Sequence, residues 1–112
     1  MTIKRTTSGA NTVTAQIIRY LTYNRYNVWR QNTVGVYDQR RGVFRKNANT
    51  KKGVSDIIGF DPNGRFVAIE IKIGKDKLSE EQTQFLAEVQ AAGGLAIVAH
   101  SLEDFWEKFR LK

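Results

Sequence analysis

The sequence predicts one mixed α/β domain, a central β-sheet flanked by helices, and three observations carry that expectation. Residues 53–72 read as two short apolar strands joined by Asp61-Pro62-Asn63-Gly64, residue types that favour a tight turn. From Phe66 to Ala99 the pattern runs strand, helix, strand, the order of a β-α-β unit, which is right-handed by rule. Apolar residues at helical spacing near both ends, Val13/Ile17/Ile18/Leu21 and Leu102/Phe105/Trp106/Phe109, supply amphipathic helices to cover the sheet. A chain of 112 residues fits a single core.

Taken in order, residues 1–11 are polar and aperiodic and read as a flexible tail, with the domain proper spanning 12–112. Asn11 or Thr12 can cap the first helix. Residues 27–36, with Val28, Trp29, Val34 and Val36, read as a strand. Tyr20, Tyr23, Tyr26 and Trp29 lie close in sequence to Arg19, Arg25 and Arg30. Such a mixture can stack on bases, but the stronger reading makes Trp29 and at least one tyrosine anchors of the core or its edge. Val43-Phe44-Arg45 pairs with its predecessor through the turn at 38–42, and 47–52 is a loop leading to Asp56.

Ser79-x-x-Gln82 has capping-box spacing and opens a helix whose stripe is Leu78, Phe85, Leu86 and Val89, stopped by Gly93-Gly94. Residues 95–99 form a nearly continuous apolar strand, as expected where both sheet faces are covered. Ser101-x-x-Asp104 opens the last helix.

Eighteen Lys plus Arg against eleven Asp plus Glu leave a net charge of +7. The distribution is uneven: no acid precedes Asp38, whereas Arg40, Arg41, Arg45, Lys46, Lys51 and Lys52 crowd the approach to Asp56. That asymmetry suits a polyanionic partner, with a plain solvated basic surface as the alternative. The absence of cysteine excludes disulfides and thiolate metal sites. With no apolar run near the roughly 18 residues that span a bilayer, and no signal-like segment, the expectation is a cytoplasmic protein without a membrane partner.

In the second strand of the hairpin Val67, Ile69, Ile71 and Ile73 alternate with Phe66, Ala68, Glu70 and Lys72, which sends Glu70 and Lys72 to one face. Charges in an apolar strand cost desolvation energy, and stability alone explains them poorly. If Asp56 lies beside Glu70, the two carboxylates can share a divalent ion of the magnesium or manganese type, with Lys72 placed to orient a water or offset charge on a phosphate. Gln82, in the first turn of its helix, either holds a water or phosphate oxygen or is an ordinary surface glutamine. The lone His100 reads as a loop or edge residue.

The run 53–59, the strand ending Glu70-Ile71-Lys72 and the segment Leu78-Ser79-Glu80-Glu81-Gln82 together resemble the VRR-NUC domain of the PD-(D/E)XK nuclease superfamily. The likeness is greatest to small, free-standing versions encoded by phages, whose setting would be the host cytoplasm. It implies a restriction-endonuclease-like core and an endonuclease acting on DNA, branched or junction DNA included. Asp56 and Glu70 would bind Mg2+, with Mn2+ as a substitute, and the Ile71 carbonyl would add an oxygen. Lys72 would assist the attacking water and Gln82 would support the site. Family habit and small size imply a homodimer. One departure stands out: the superfamily usually places another acid on the first helix, where this chain has Thr12 and Gln16. A nucleic-acid-binding module that keeps the scaffold without cutting is the competing expectation.

Overall fold

The computed structural model describes residues 9–31, 36–45 and 51–112. Among the described residues three helices, α1 (Ala10–Tyr23), α2 (Glu80–Ala91) and α3 (Leu102–Arg110), accompany six strands: β1 (Asn27–Arg30), β2 (Val36–Asp38), β3 (Val43–Arg45), β4 (Ile57–Phe60), β5 (Phe66–Ile71) and β6 (Leu95–Ala99). The main sheet has the order β1-β4-β5-β6 and is mixed. β1 and β5 both run antiparallel to β4, and β6 runs parallel to β5. β2 and β3 form a separate hairpin. This is the mixed sheet flanked by helices expected of a PD-(D/E)XK-like core.

Alternation along β5 divides the interior in two. Val67, Ile69 and Ile71 join Leu95, Ile97 and Ala99 of β6 in a core closed by Val13, Ile17 and Leu21 of α1 and Phe105 of α3. On the other face Ala68 packs against Phe85, Leu86 and Val89 of α2, with Ile58, Ala96 and Val98 at the margin. The β4–β5 turn fixes the register. Asp61 Oδ1 accepts the Asn63 and Arg65 backbone N–H groups, and Oδ2 accepts Arg65 Nε at 3.1 Å. The Arg65 N–H, above all, holds the Asp61 carboxyl below its ordinary range.

Several expectations need correction. α1 starts at Ala10 with Gly9 as its N-cap and no side-chain cap. Asn11 therefore lies inside the first turn and accepts Arg30 Nη1 instead, at 2.9 Å. Residues 1–8, most of the expected tail, lie outside the described residues. The single strand expected over 27–36 is two elements in two sheets, because β1 is matched to the four residues of β4 and Val36 already belongs to the β2–β3 hairpin.

Trp29 is exposed, since the neighbouring Val28 takes the core-facing position of a short edge strand. Tyr26 does pack at the edge of the core. Trp106 is also exposed: Leu102, Phe105 and Phe109 form the inward line of α3, and Trp106 falls on its flank beside Tyr20. Ser101 caps α3 as expected, but Asp104 reaches past it to the His100 N–H at 2.9 Å.

Both α1 and α2 end in the same hydrogen-bonded motif. Gly93 and Gly94 donate to Gln90 and Val89, with Gly93 in the left-handed region at φ 88°. After α1 the matching donors are Arg25 to Thr22 and Tyr26 to Leu21, and Arg25 occupies the left-handed position at φ 69°. A side chain there is strained where glycine is not. Arg25→Gly is accordingly expected to stabilise the domain by roughly 0.5–1 kcal/mol, read as a higher denaturant midpoint at unchanged slope.

Candidate active site

One residue beyond the last ladder pair of β4 and β5, Ile57 opposite Ile69, the register brings Asp56 opposite Glu70. The contact is fixed by the backbone: Asp56 Oδ2 accepts the Ile71 N–H at 2.8 Å. Glu70 is 2% exposed. Its Oε1 lies 3.4 Å from Gln82 Nε2, and its buried Oε2 has no hydrogen-bond partner among the described residues. Burial pushes the Glu70 carboxyl up to about 8, assisted by the neighbouring Asp56 carboxylate, while Lys72 pulls the other way. Glu70 thus favours its protonated form at neutral pH.

Gln82 is fully engaged. Its Oε1 accepts the Ser79 N–H at 2.9 Å and the Ser79 hydroxyl accepts the Gln82 N–H, completing a capping box. Its amide nitrogen is left to meet Glu70, so this side chain orients a carboxylate. The loop before Asp56 is locked to the same helix turn. Gly53 has φ 77°, and a Cβ there would run into the Glu81 carbonyl and lie 2.8 Å from the Gln82 nitrogen.

Lys72 is held by its backbone on both sides. Its N–H donates to the Ala99 carbonyl at 2.9 Å, and its own carbonyl lies 2.9 Å from His100 Nδ1. With the proton on Nδ1 the ring donates this bond. His100 is exposed at the end of β6, the edge position expected, and its contact with Lys72 was not legible from the sequence because it depends on β5–β6 register. Gln31 was missed for the same reason. Its N–H donates to the Asp56 carbonyl at 2.8 Å, which places Gln31 next to Asp56 on the adjoining strand.

Of the six basic candidates, five fall among the described residues. Arg40 and Arg41 sit in the exposed turn of the β2–β3 hairpin, and Arg45 ends β3. Lys46 lies outside the described residues. Lys51 and Lys52 are exposed just ahead of Gly53, and Lys51 pairs with Glu88 at 3.3 Å.

The acid pair suits a small divalent cation. Its donors are hard carboxylate oxygens, and the unpartnered Glu70 Oε2 is the atom such an ion would satisfy. Ile71, between Glu70 and Lys72, can add a backbone oxygen. Among the described residues no group of three or more His, Cys, Asp or Glu side chains is placed to hold a metal, and the first turn of α1 carries no acid.

A mixed sheet with an Asp ahead of one strand and an acid-x-Lys triplet ending the next defines a nuclease domain of the PD-(D/E)XK superfamily. The VRR-NUC domain model matches residues 19–103, and the chain belongs to that family. It is a nuclease-type, DNA-acting domain. Comparison with curated proteins finds no match. Among the described residues no helix is long and apolar enough to cross a membrane.

Two measurements test this geometry. Because the folded-state pKa of Glu70 is raised above its ordinary 4.5, its contribution to stability is complete below about 4.5 and is lost as pH rises through about 8. In chelator, the stability of the parent relative to Glu70→Gln is therefore expected to fall by roughly 2–4 kcal/mol between pH 5 and pH 9, measured by denaturant unfolding. Gly53→Ala is expected to cost about 2 kcal/mol or more, from the left-handed φ and the clash with α2 together. The same unfolding curves check it.

Proposed function

We propose that the domain is a divalent-metal-dependent endodeoxyribonuclease that hydrolyses phosphodiester bonds with Asp56, Glu70 and Lys72. The observation that carries this reading is a carboxylate in the central strand, buried, unpartnered at Oε2 and set against a second carboxylate. Hydrophobic residues in its place would stabilise the fold, so the charge is best explained by chemistry. A bound Mg2+ or Mn2+ would supply Lewis-acid polarisation of the phosphate and a more acidic water.

This chain's own residues do the rest. Asp56 keeps its carboxylate aimed by accepting the Ile71 N–H, and Gln82 keeps Glu70 turned toward it. The Lys72 ammonium, on the same strand face two residues on, orients the attacking water and offsets charge developing on phosphate. Clamping of the Lys72 backbone by Ala99 and His100 limits the spread of its positions. Arg40, Arg41, Arg45, Lys46, Lys51 and Lys52 supply a positive field or direct phosphate contacts. Two copies, each with one acid pair, would cut both strands of a branched or junction DNA, and we propose the homodimer on that ground.

The competing reading, a DNA binder that does not cut, is favoured by one specific observation, the lack of any acid in the first turn of α1. A panel of linear, nicked, flapped and four-way DNA with Mg2+, Mn2+ or chelator separates the two. Cleavage is expected with either metal, absent in chelator, and reduced at least ~100-fold in Glu70→Gln and Lys72→Ala. Binding by all three proteins with no product under any metal would establish the binder instead. Sedimentation of the active species as a concentration-independent monomer would remove the dimer.

A further inference from the structure

The two faces of the sheet are covered unequally. α1 and α3 close one face, while α2 packs against β5 and β6 on the other. The β1–β4 half of that second face keeps large apolar side chains in solvent. Alternation and register define its rows. Trp29 lies opposite Ile58, which lies opposite Ala68 in the α2 core, so Trp29 shares the α2 face. Phe60 lies opposite Phe66 in the next row, and Phe66 makes an edge contact with Phe85 of α2. Trp29, Phe60 and Phe66 are 44%, 43% and 42% exposed. In the other direction the following row holds Gln31, Asp56 and Glu70.

The aromatic shelf is therefore continuous with the acid pair. A two-residue step along a strand and one step between strands, ~6.8 Å and ~4.8 Å, put Trp29 about 8 Å from Asp56 in backbone terms. We propose that this shelf receives an unpaired nucleobase of the substrate, stacked on Trp29, while the adjoining phosphate lies over Asp56 and Glu70. This deepens the phosphodiesterase reading and rests on it.

Charge and chemistry select this occupant. The chain carries +7, and Asp38 is the one acid among the first 55 residues against eleven Lys and Arg. A strand lying on the shelf would meet an anion-attracting protein and reach the acid pair without a break. An indole ring offers its flat face to any base, but only to one already out of a helical stack, since a continuous duplex buries its base faces. Gln31, between shelf and acids, has a side-chain amide suited to a base edge or sugar at that junction. The site thus favours DNA with an unpaired nucleotide next to the scissile bond over fully paired duplex.

The test uses the full chain carrying Trp106→Phe, which leaves Trp29 as the sole tryptophan, with chelator present so that nothing is cut. Single-stranded oligothymidylate is expected to quench Trp29 fluorescence and to bind at least ~5-fold more tightly than a blunt duplex of equal length. By anisotropy of labelled DNA, Trp29→Ala is expected to lose ~5- to 100-fold of single-strand affinity and under ~2-fold of duplex affinity, with Trp29→Phe recovering most of the loss. Absence of quenching, or equal losses on both DNAs, overturns the proposal. A dimer that dissociates in Trp29→Ala without any quenching by oligonucleotide assigns the shelf to a second copy of the chain and also overturns it. Cleavage of a gapped duplex in Mg2+ is scored separately. Quenching without cleavage upholds stacking and removes hydrolysis, and cleavage without quenching does the reverse.

Discussion

Glu70, desolvated in the central strand and pressed against Asp56, is the constraint around which the rest of the fold is arranged. A carboxylate in that position costs free energy unless it is protonated, paired or bound to a cation. The surrounding structure holds it there with little slack. The Asp61 turn fixes the β4–β5 register, and a slip of one residue would send Glu70 into the α1–α3 core and Ile71 toward α2. The Ile71 N–H anchors Asp56 in the same stroke. Two apolar layers exclude water from the strand while leaving its C-terminal end, where the acids sit, at the margin of the covered area.

α2 performs two jobs with one residue. Its capping box satisfies the Ser79 and Gln82 backbone N–H groups, and the Gln82 side chain that closes the box also meets Glu70. The N-terminal turn of the helix is consequently tied to Glu70. Gly53 makes the arrangement cooperative, because the loop feeding Asp56 can approach the Glu81 and Gln82 backbone only without a side chain. Helix, loop and hairpin are thereby joined at one point, next to the acid pair.

The central hairpin, the β-α-β unit, all three helices and the pairing of Asp56 with Glu70 were legible because each rests on local pattern: period-two alternation, a turn of Asp-Pro-Asn-Gly type, stripes at helical spacing. The misreadings share a different cause. Trp29 reads as an anchor of the core or its edge and Trp106, by helical spacing, as part of a buried stripe, but each sits beside a residue, Val28 or Phe105, that takes the inward position. Asn11 has the chemistry of a cap, yet the helix begins one residue earlier and Arg30, nineteen positions away, claims its amide oxygen. Gln31 and His100 carry no local signal at all. Their placement beside Asp56 and Lys72 follows from strand register alone, which sequence periodicity does not supply between strands 25 or more residues apart.

The unequal cover of the sheet also explains how one strand can be both buried and useful. β5 lies between two neighbours with helices above and below, conditions that raise the proton affinity of Glu70 and strengthen any electrostatic contact it makes. β4 and β1, one and two strands away, are covered by α2 only at Ile58, and Trp29 and Phe60 on that face remain exposed. The acid pair sits where these regimes meet, with Glu70 buried and Asp56 half-buried. Extending α2 or adding a helix over Trp29 and Phe60 would improve burial. The exposed aromatics are the counterpart of the buried acid: each departs from what stability alone would select, and the two departures adjoin on the same face.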